Sequence, residues 1–281
     1  MKLMSWNIQW GRGMDGRVDL ARIVSEARTF GDFDILCLQE VADGFSDLEG
    51  SAGENQFAEI AALLPGYVPV EGAAVDLAKA GGGRRRFGNM IVSRLPIDRI
   101  LRHVLLWPAD PATRNMPRML LDIEVCGPFG PVRIMTTHLE YFSPELRAAQ
   151  VHAIREIVRA SILRAGQPHH EGKGPYARGA SPAATVLAGD FNMPPHDPLK
   201  LSLSEPLGGG VPGLVDAWTA VYPQTPHPPS FCIADQTYGP PHCCDFVFVS
   251  QDLAPLLRGA TYDISTRASD HQPVLVEFAD A

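Results

Sequence analysis

The sequence predicts an α/β fold in which β-sheets pack between helices, and three observations carry that expectation. Short apolar runs rich in Val, Ile, Leu and Phe recur along the chain as buried strands. Two such runs, near Met119 to Val125 and Val132 to Thr137, are joined by Gly127-Pro128-Phe129-Gly130, which is hairpin chemistry. Stretches with helical spacing, Val18 to Phe30 and Leu146 to Leu163, are interspersed among them. Hairpin-linked strands mixed with helices argue against a simple doubly wound parallel sheet.

Taken in order, Leu3 to Ile8 reads as a strand, and in Val18 to Phe30 the residues Leu20, Ile23, Val24 and Ala27 fall on one helical face. Asp34 to Leu38 is a second buried strand, ending at Gln39-Glu40. Phe57 to Leu64 forms a short amphipathic helix that Pro65-Gly66 stops. Asn89 to Ser93 is a strand terminated by Arg94-Leu95-Pro96, and Ser143-Pro144-Glu145 opens the long helix with proline at its first helical position. Ala165 to Pro182 is rich in Gly, Pro and His and reads as a mobile surface loop around 165–182, with His169 and His170 facing solvent. Thr185 to Asn192 is an apolar run that stops on a carboxylate and, two residues later, an amide. Gly189 there permits a sharp turn or a close approach, and the period of a strand turns Asp190 and Asn192 to one side. The tail holds a helix near Leu214 to Val221 and strands at Phe246 to Val249 and Val274 to Phe278.

A chain of 281 residues, 45% hydrophobic, builds a sizeable core, and with no linker dividing it one domain over 1–281 is expected. The net charge of −8 is opposite to the footprint of a protein that holds nucleic acid by electrostatics alone. A polyanionic substrate must then be met by a local patch or by bound cations. Five cysteines without framework spacing read as free thiols of a reducing compartment. No apolar leader and no long apolar run is present, so a cytoplasmic protein without integral membrane association is expected. Nothing points to a protein partner.

Polar residues recur at the strand ends: Asn7, Glu40, His138, Asp190, Asn192, Asp245 and Asp270-His271. Carboxylates, amides and imidazoles without a thiolate cage favour a hard divalent ion, Mg²⁺ with Mn²⁺ as a substitute. Hydrolysis of a phosphate ester needs those parts: a Lewis acid, an activated water and donors for the developing charge.

The ordered motifs Ser5-Trp6-Asn7, Leu38-Gln39-Glu40-Val41, Gly88-Asn89, Thr137-His138-Leu139, Gly189-Asp190-Phe191-Asn192, Asp245-Phe246-Val247-Phe248 and Ser269-Asp270-His271-Gln272-Pro273 span nearly the whole chain. Together they resemble the endonuclease/exonuclease/phosphatase superfamily of DNase I-like and exonuclease III-like metal-dependent phosphoesterases. The resemblance implies a four-layer α/β-sandwich, two mixed, mainly antiparallel sheets face to face with helices outside. It also implies Glu40 as principal metal ligand with Asn7 beside it and Asp270 as a second ligand or water bridge. Asp190 and Asn192 would position the attacking water and the phosphate. His271, oriented by Asp245, would serve as general base or as a charged donor. His138 matches a second histidine found in DNase I-type and sphingomyelinase-type members.

Gly81-Gly82-Gly83-Arg84-Arg85-Arg86 is the one concentrated basic element, readable as a bidentate phosphate clamp or as a solvated loop. Arg114 and Arg118 are further phosphate-contact candidates, and Asn89 a further substrate contact. Trp10, Tyr141 and Phe142 either stack a base at the mouth or belong to the core. Cys232, His242, Cys243 and Cys244 invite zinc, but adjacent cysteines fit one tetrahedral site poorly. The expected function is a Mg²⁺-dependent phosphodiester hydrolase, a nuclease on DNA or RNA. The alternatives are a small-molecule or lipid-head-group phosphodiesterase or phosphatase, and a catalytically silent binding protein.

Overall fold

The structure, a computed structural model, describes residues 1–167, 172–176 and 181–279. Its strands are β1 (Lys2–Asn7), β2 (Ile35–Asp43), β3 (Val68–Ala78), β4 (Arg84–Ser93), β5 (Ile97–Val104) and β6 (Met119–Gly127). They continue with β7 (Gly130–His138), β8 (Thr185–Asp190), β9 (Val215–Asp216), β10 (Asp245–Val249), β11 (Leu257–Tyr262) and β12 (Val274–Phe278). The helices are α1 (Leu20–Phe30), α2 (Gln56–Leu63), α3 (Pro144–Ala165), α4 (Pro198–Ser202) and α5 (Ala217–Val221).

Two six-stranded sheets result, ordered β11-β12-β1-β2-β4-β3 and β5-β6-β7-β8-β10-β9. Each is antiparallel except for one central parallel pair, β1 with β2 and β7 with β8. A parallel pair needs a crossover, and α1 and α3 supply them. Asp19 caps α1 by accepting from the Arg22 amide, and Ser143 caps α3 from Leu146 with Pro144 in the first turn.

Strand periodicity distributes the apolar side chains between the layers. Leu3, Ile35, Cys37 and Ile91 point into the core shared by the two sheets. Their neighbours Met4, Leu36, Leu38, Met90 and Val92 point the other way, onto Leu20, Ile23 and Val24 of α1 and Phe57 and Ile60 of α2. Val151, Ile154 and Val158 of α3 join the larger core, so helices cover both outer faces of a sheet sandwich. The four-layer arrangement implied by the family resemblance is the one observed.

Several element boundaries differ from the sequence reading. β3, β5 and β11 had not been expected, and Val215-Asp216, expected as helix, forms the edge strand β9. β2 runs past Glu40 to Asp43 through a register shift between Leu38 and Val41. Gly81 to Gly83, all at positive φ, turn the chain between β3 and β4, but Arg84 to Arg86 lie within β4 and not in a loop. His169 and His170, with part of the loop expected over 165–182, fall outside the described residues. Among the described residues no helix is long and apolar enough to cross a membrane.

Candidate active site

The two parallel pairs end at the same rim of the sandwich. Asn7 closes β1, Glu40 sits at the irregularity in β2, His138 closes β7 and Asp190 closes β8. Asp245 opens β10 opposite Asp190, and Asp270-His271 lead into β12, which pairs with β1. Carboxyl ends of parallel strands are where α/β sheets place ligands, because the chain leaves the sheet there and frees the terminal side chains. Gly189 is required by this geometry: at its φ of +147° a Cβ would stand 2.0 Å from the Thr137 carbonyl oxygen.

A cleft of about 570 Å³ opens over this rim, lined at its floor by Glu40, His138, Asp190, Asn192, Asp270 and His271. Asp190 is the hub. Its Oδ2 accepts from Asn7 Nδ2 at 3.0 Å and faces His138 Nε2 at 3.4 Å and His271 Nε2 at 3.7 Å. Its Oδ1 accepts from the Asn192 amide at 2.9 Å, while Asn192 Nδ2 donates to the Leu139 carbonyl at 2.9 Å. Asn7 Nδ2 also donates to Glu40 Oε1 at 3.2 Å, so one amide ties together two carboxylates from opposing sheets. Gln9 Nε2 donates to Asp270 Oδ2 at 2.7 Å. Gln9, Trp10, Glu40 and Asn192, all lining the cleft, have positive φ without being glycine, a conformation that costs about 1–3 kcal/mol each and is held only where surroundings demand it.

The two histidines are electrostatic opposites. Burial, with repulsion from Arg118 and His271, holds His138 well below the usual imidazole range, so it is neutral at pH 7. Burial would lower His271 too, but the charges of Asp245 and Asp190 and the hydrogen bond to Asp245 raise it well above that range. Its Nδ1 lies 2.9 Å from Asp245 Oδ2, which also accepts from Ser230 Oγ at 2.6 Å. Trp6 Nε1 donates to the His271 carbonyl at 2.9 Å, and the Phe231 ring stacks on the imidazole at 4.4 Å. His271 is therefore an oriented imidazolium.

The carboxylates are pushed toward their protonated forms. Burial, with the Asp270 charge, pushes Glu40 up to about 7. Burial against the pull of His271 pushes Asp190 up to about 6, and burial raises Asp270. Glu40 and Asp270, with the Asn7 amide beside them, form an oxygen-rich donor set at the cleft floor whose charge a hard dication would balance. Asp190, Cys244 and His271 also bring ligand atoms within 4.8 Å of one another. That trio makes a poor soft-metal site, since burial keeps the Cys244 thiol well above its usual pKa and His271 Nδ1 is engaged by Asp245. Cys232, Cys243 and Cys244 are all free and buried.

The remaining residues proposed for substrate contact divide. Arg118 lines the cleft beside His138, 6% exposed, its Nε 3.5 Å from Glu140 Oε2 and its charge felt by Glu40 and Asp190. Arg84, Arg85 and Arg86 are not a free cationic clamp: Arg84 pairs with Asp76, Arg85 with Asp47, and Arg86 with Asp43 and Glu71. Antiparallel pairing with β3 fixes them, and their charge is met within the protein. Asn89 is buried in β4, its amide donating to the Met119 carbonyl at 3.2 Å, and it does not line the cleft. Sequence reasoning missed Ser230, Gln9 and Trp6 as supports. Ser230 lies fifteen positions from Asp245 in the chain, and nothing local marks it.

A model of the Endonuclease/Exonuclease/phosphatase family matches residues 4–271. No curated protein sequence matches the chain significantly. Among solved structures, an endonuclease/exonuclease/phosphatase from Beutenbergia cavernae is similar at 24% identity and a TM-score of 0.64, over 98% of this chain and 70% of that one. A mannosyl-6-phosphatase from Bacteroides thetaiotaomicron matches at 18% identity and a TM-score of 0.68, over 99% of both chains. A 3′ phosphatase from Neisseria bound to a product DNA hairpin matches at 22% identity and a TM-score of 0.61, again over 99% of both. Members of this family are generally dependent on divalent metal, which accords with the donor set at the cleft floor. With its fold, its family match and its strand-end constellation in agreement, the chain belongs to the endonuclease/exonuclease/phosphatase family and is a phosphoesterase hydrolase.

Proposed function

We propose that this chain hydrolyses phosphodiesters with Mg²⁺, for which Mn²⁺ can substitute, and that its substrate is a nucleotide or the end of a nucleic acid. The observation that carries the reaction is the convergence of Asn7, His138 and His271 on one oxygen of Asp190. Glu40 and Asp270 would hold the ion, with Asn7 fixing the Glu40 carboxylate. Bound there, the dication supplies Lewis-acid polarisation of the phosphoryl group and a more acidic water. Asp190, ionised at neutral pH, accepts the proton of the attacking water, and Asn192 keeps that carboxylate aligned through its backbone amide. His271, already protonated and held by Asp245, donates to a phosphoryl oxygen as charge develops. Arg118 at the cleft wall adds a second donor.

Substrate choice follows from the charges. A duplex lying across the surface needs a row of free cations, yet the Arg84–Arg86 run is neutralised by Asp76, Asp47, Asp43 and Glu71. A compact cleft with one buried guanidinium suits a single phosphate entering it. Hydrolysis of a small free phosphate ester is a second reading, favoured by the net charge of −8.

A panel of bis-p-nitrophenyl phosphate, supercoiled plasmid, single-stranded DNA, RNA, inositol phosphates and sphingomyelin, each with Mg²⁺ and with EDTA, tests the reading. Hydrolysis of the diester and trimming of single-stranded ends are expected, with loss in EDTA and a loss of about a hundredfold or more in His271→Ala. Full activity in EDTA would sink the ion, and efficient plasmid nicking would sink the preference for ends.

A further inference from the structure

Above its polar floor the cleft changes character. Tyr141, Phe142, Phe231 and Tyr238 form one side and Trp10, Phe45 and Phe87 belong to the remaining lining. Seven lining side chains are thus Phe, Tyr or Trp, in a chain that is only 8% aromatic. The first group is continuous with the chemistry. From the His271 ring it is 4.4 Å to Phe231, stacked, then 6.2 Å to Tyr238, again stacked at 26°. Tyr238 meets Tyr141 edge to face at 6.0 Å, and Tyr141 meets Phe142 at 5.0 Å. The Arg114 guanidinium sits 5.7 Å over the Phe142 ring at the outer end. Tyr141, Phe142 and Tyr238 are 37%, 48% and 61% exposed, so this ladder climbs out of the protein instead of closing its core.

Exposed rings at this density need an occupant, since large apolar side chains are otherwise kept from water. Flat faces joined edge to face offer π surface to another flat ring. Several of the wall's polar groups are already engaged within the protein, while Gln9 Oε1 is left without a hydrogen-bond partner among the described residues. The Asp47 carboxylate is paired with Arg85, Gln9 with Asp270, and the Trp10 indole nitrogen donates to the Glu49 carbonyl. Resting on the phosphoesterase reading above, we infer that the exposed rings of Tyr238 and Tyr141, backed by Phe231, form a stacking subsite for a planar ring one ester unit from the phosphate, so that the preferred substrate carries a nucleobase or comparable aromatic group. Phe231 links the two functions, one face of its surroundings being the catalytic imidazole and the other the ladder.

Binding measured by calorimetry in Mg²⁺ tests this without requiring turnover, so a failure of the hydrolysis reading and a failure of the ring subsite are separable. AMP and ribose 5-phosphate differ by the base alone, and AMP is expected to bind roughly tenfold or more tightly, the scale of one base stacked on an aromatic side chain. Tyr238→Ser should close that gap to about twofold or less, while Tyr238→Phe, which keeps the ring, should preserve it. Equal affinities for the two ligands in the unaltered protein would overturn the subsite. So would a gap that survives Tyr238→Ser and Tyr141→Ser together, or octyl phosphate binding more tightly than AMP, which would assign the wall to an aliphatic or lipid ester.

Discussion

Two buried acidic clusters in this molecule have opposite electrostatics. Beneath α4 and α5, Asp216 is held between the Lys200 ammonium and His227 Nε2, the latter at 3.0 Å. Burial alone would raise its pKa, yet the His227 hydrogen bond and the Lys200 charge bring it down to about 2. At the cleft floor Glu40, Asp190 and Asp270 share one imidazolium, and burial pushes Glu40 up to about 7 and Asp190 up to about 6. No ammonium or guanidinium hydrogen-bonds these three among the described residues. The first cluster spends its charges on holding the fold, and the second keeps them uncompensated by the chain, which is how binding sites trade stability for function.

The difference can be broken at its stable side first. Lys200→Met leaves a buried carboxylate with only His227 and the Thr219 amide as partners and should cost about 3 kcal/mol, seen as a lower denaturation midpoint at neutral pH. An unchanged midpoint would show that the pair contributes nothing net. Acid sharpens the same point with a smaller effect. Because the folded pKa of Asp216 is depressed, its contribution is present above the unfolded carboxylate value and is lost as pH falls from about 4 through about 2. Comparing unaltered protein with Asp216→Asn across that window should show their stability difference shrinking by about 2 kcal/mol, and a constant difference would contradict it.

A third effect has the reverse sign. Glu40→Gln keeps a hydrogen-bond acceptor for Asn7 but removes a charge whose folded pKa is raised, a charge that destabilises the fold increasingly as pH climbs from about 4.5 through about 7. In EDTA this variant should be more stable by about 3 kcal/mol at pH 8, with little gain at pH 5, while losing activity when Mg²⁺ is restored. A destabilised Glu40→Gln would mean that the carboxylate serves the fold and not the site.

Legibility in the sequence followed burial. The interior strands β1, β2, β4, β6, β7, β8, β10 and β12 are largely buried, and each was readable from an apolar run such as Ile35-Leu36-Cys37-Leu38 or Phe246-Val247-Phe248-Val249. All four edge strands, β3, β5, β9 and β11, were missed as strands. An edge strand is half solvated and tolerates what interior strands exclude: β3 carries Pro69 and Gly72, and β5 alternates Ile97, Ile100 and Leu101 with Asp98, Arg99 and Arg102. The cleft-floor residues were legible because they stand beside interior strand ends or, for Glu40, at the irregularity within β2. The arginine run lies in β4 where a loop was expected, and its partners Asp43, Asp47, Glu71 and Asp76 lie on other segments, so the pairing leaves no local mark. Ser230 and the Phe231–Tyr238 stack were hidden for the same reason.

The pairing of β12 with β1 has a consequence for how the site forms. Asn7 precedes the imidazolium and the Asp270 carboxylate that face the same cleft by more than 260 positions in the chain. Until β12 adds to β1, the chain holds Glu40, His138 and Asp190 without the charged donor of His271. The set of charged groups at the cleft floor is thus complete only once β12 has joined β1.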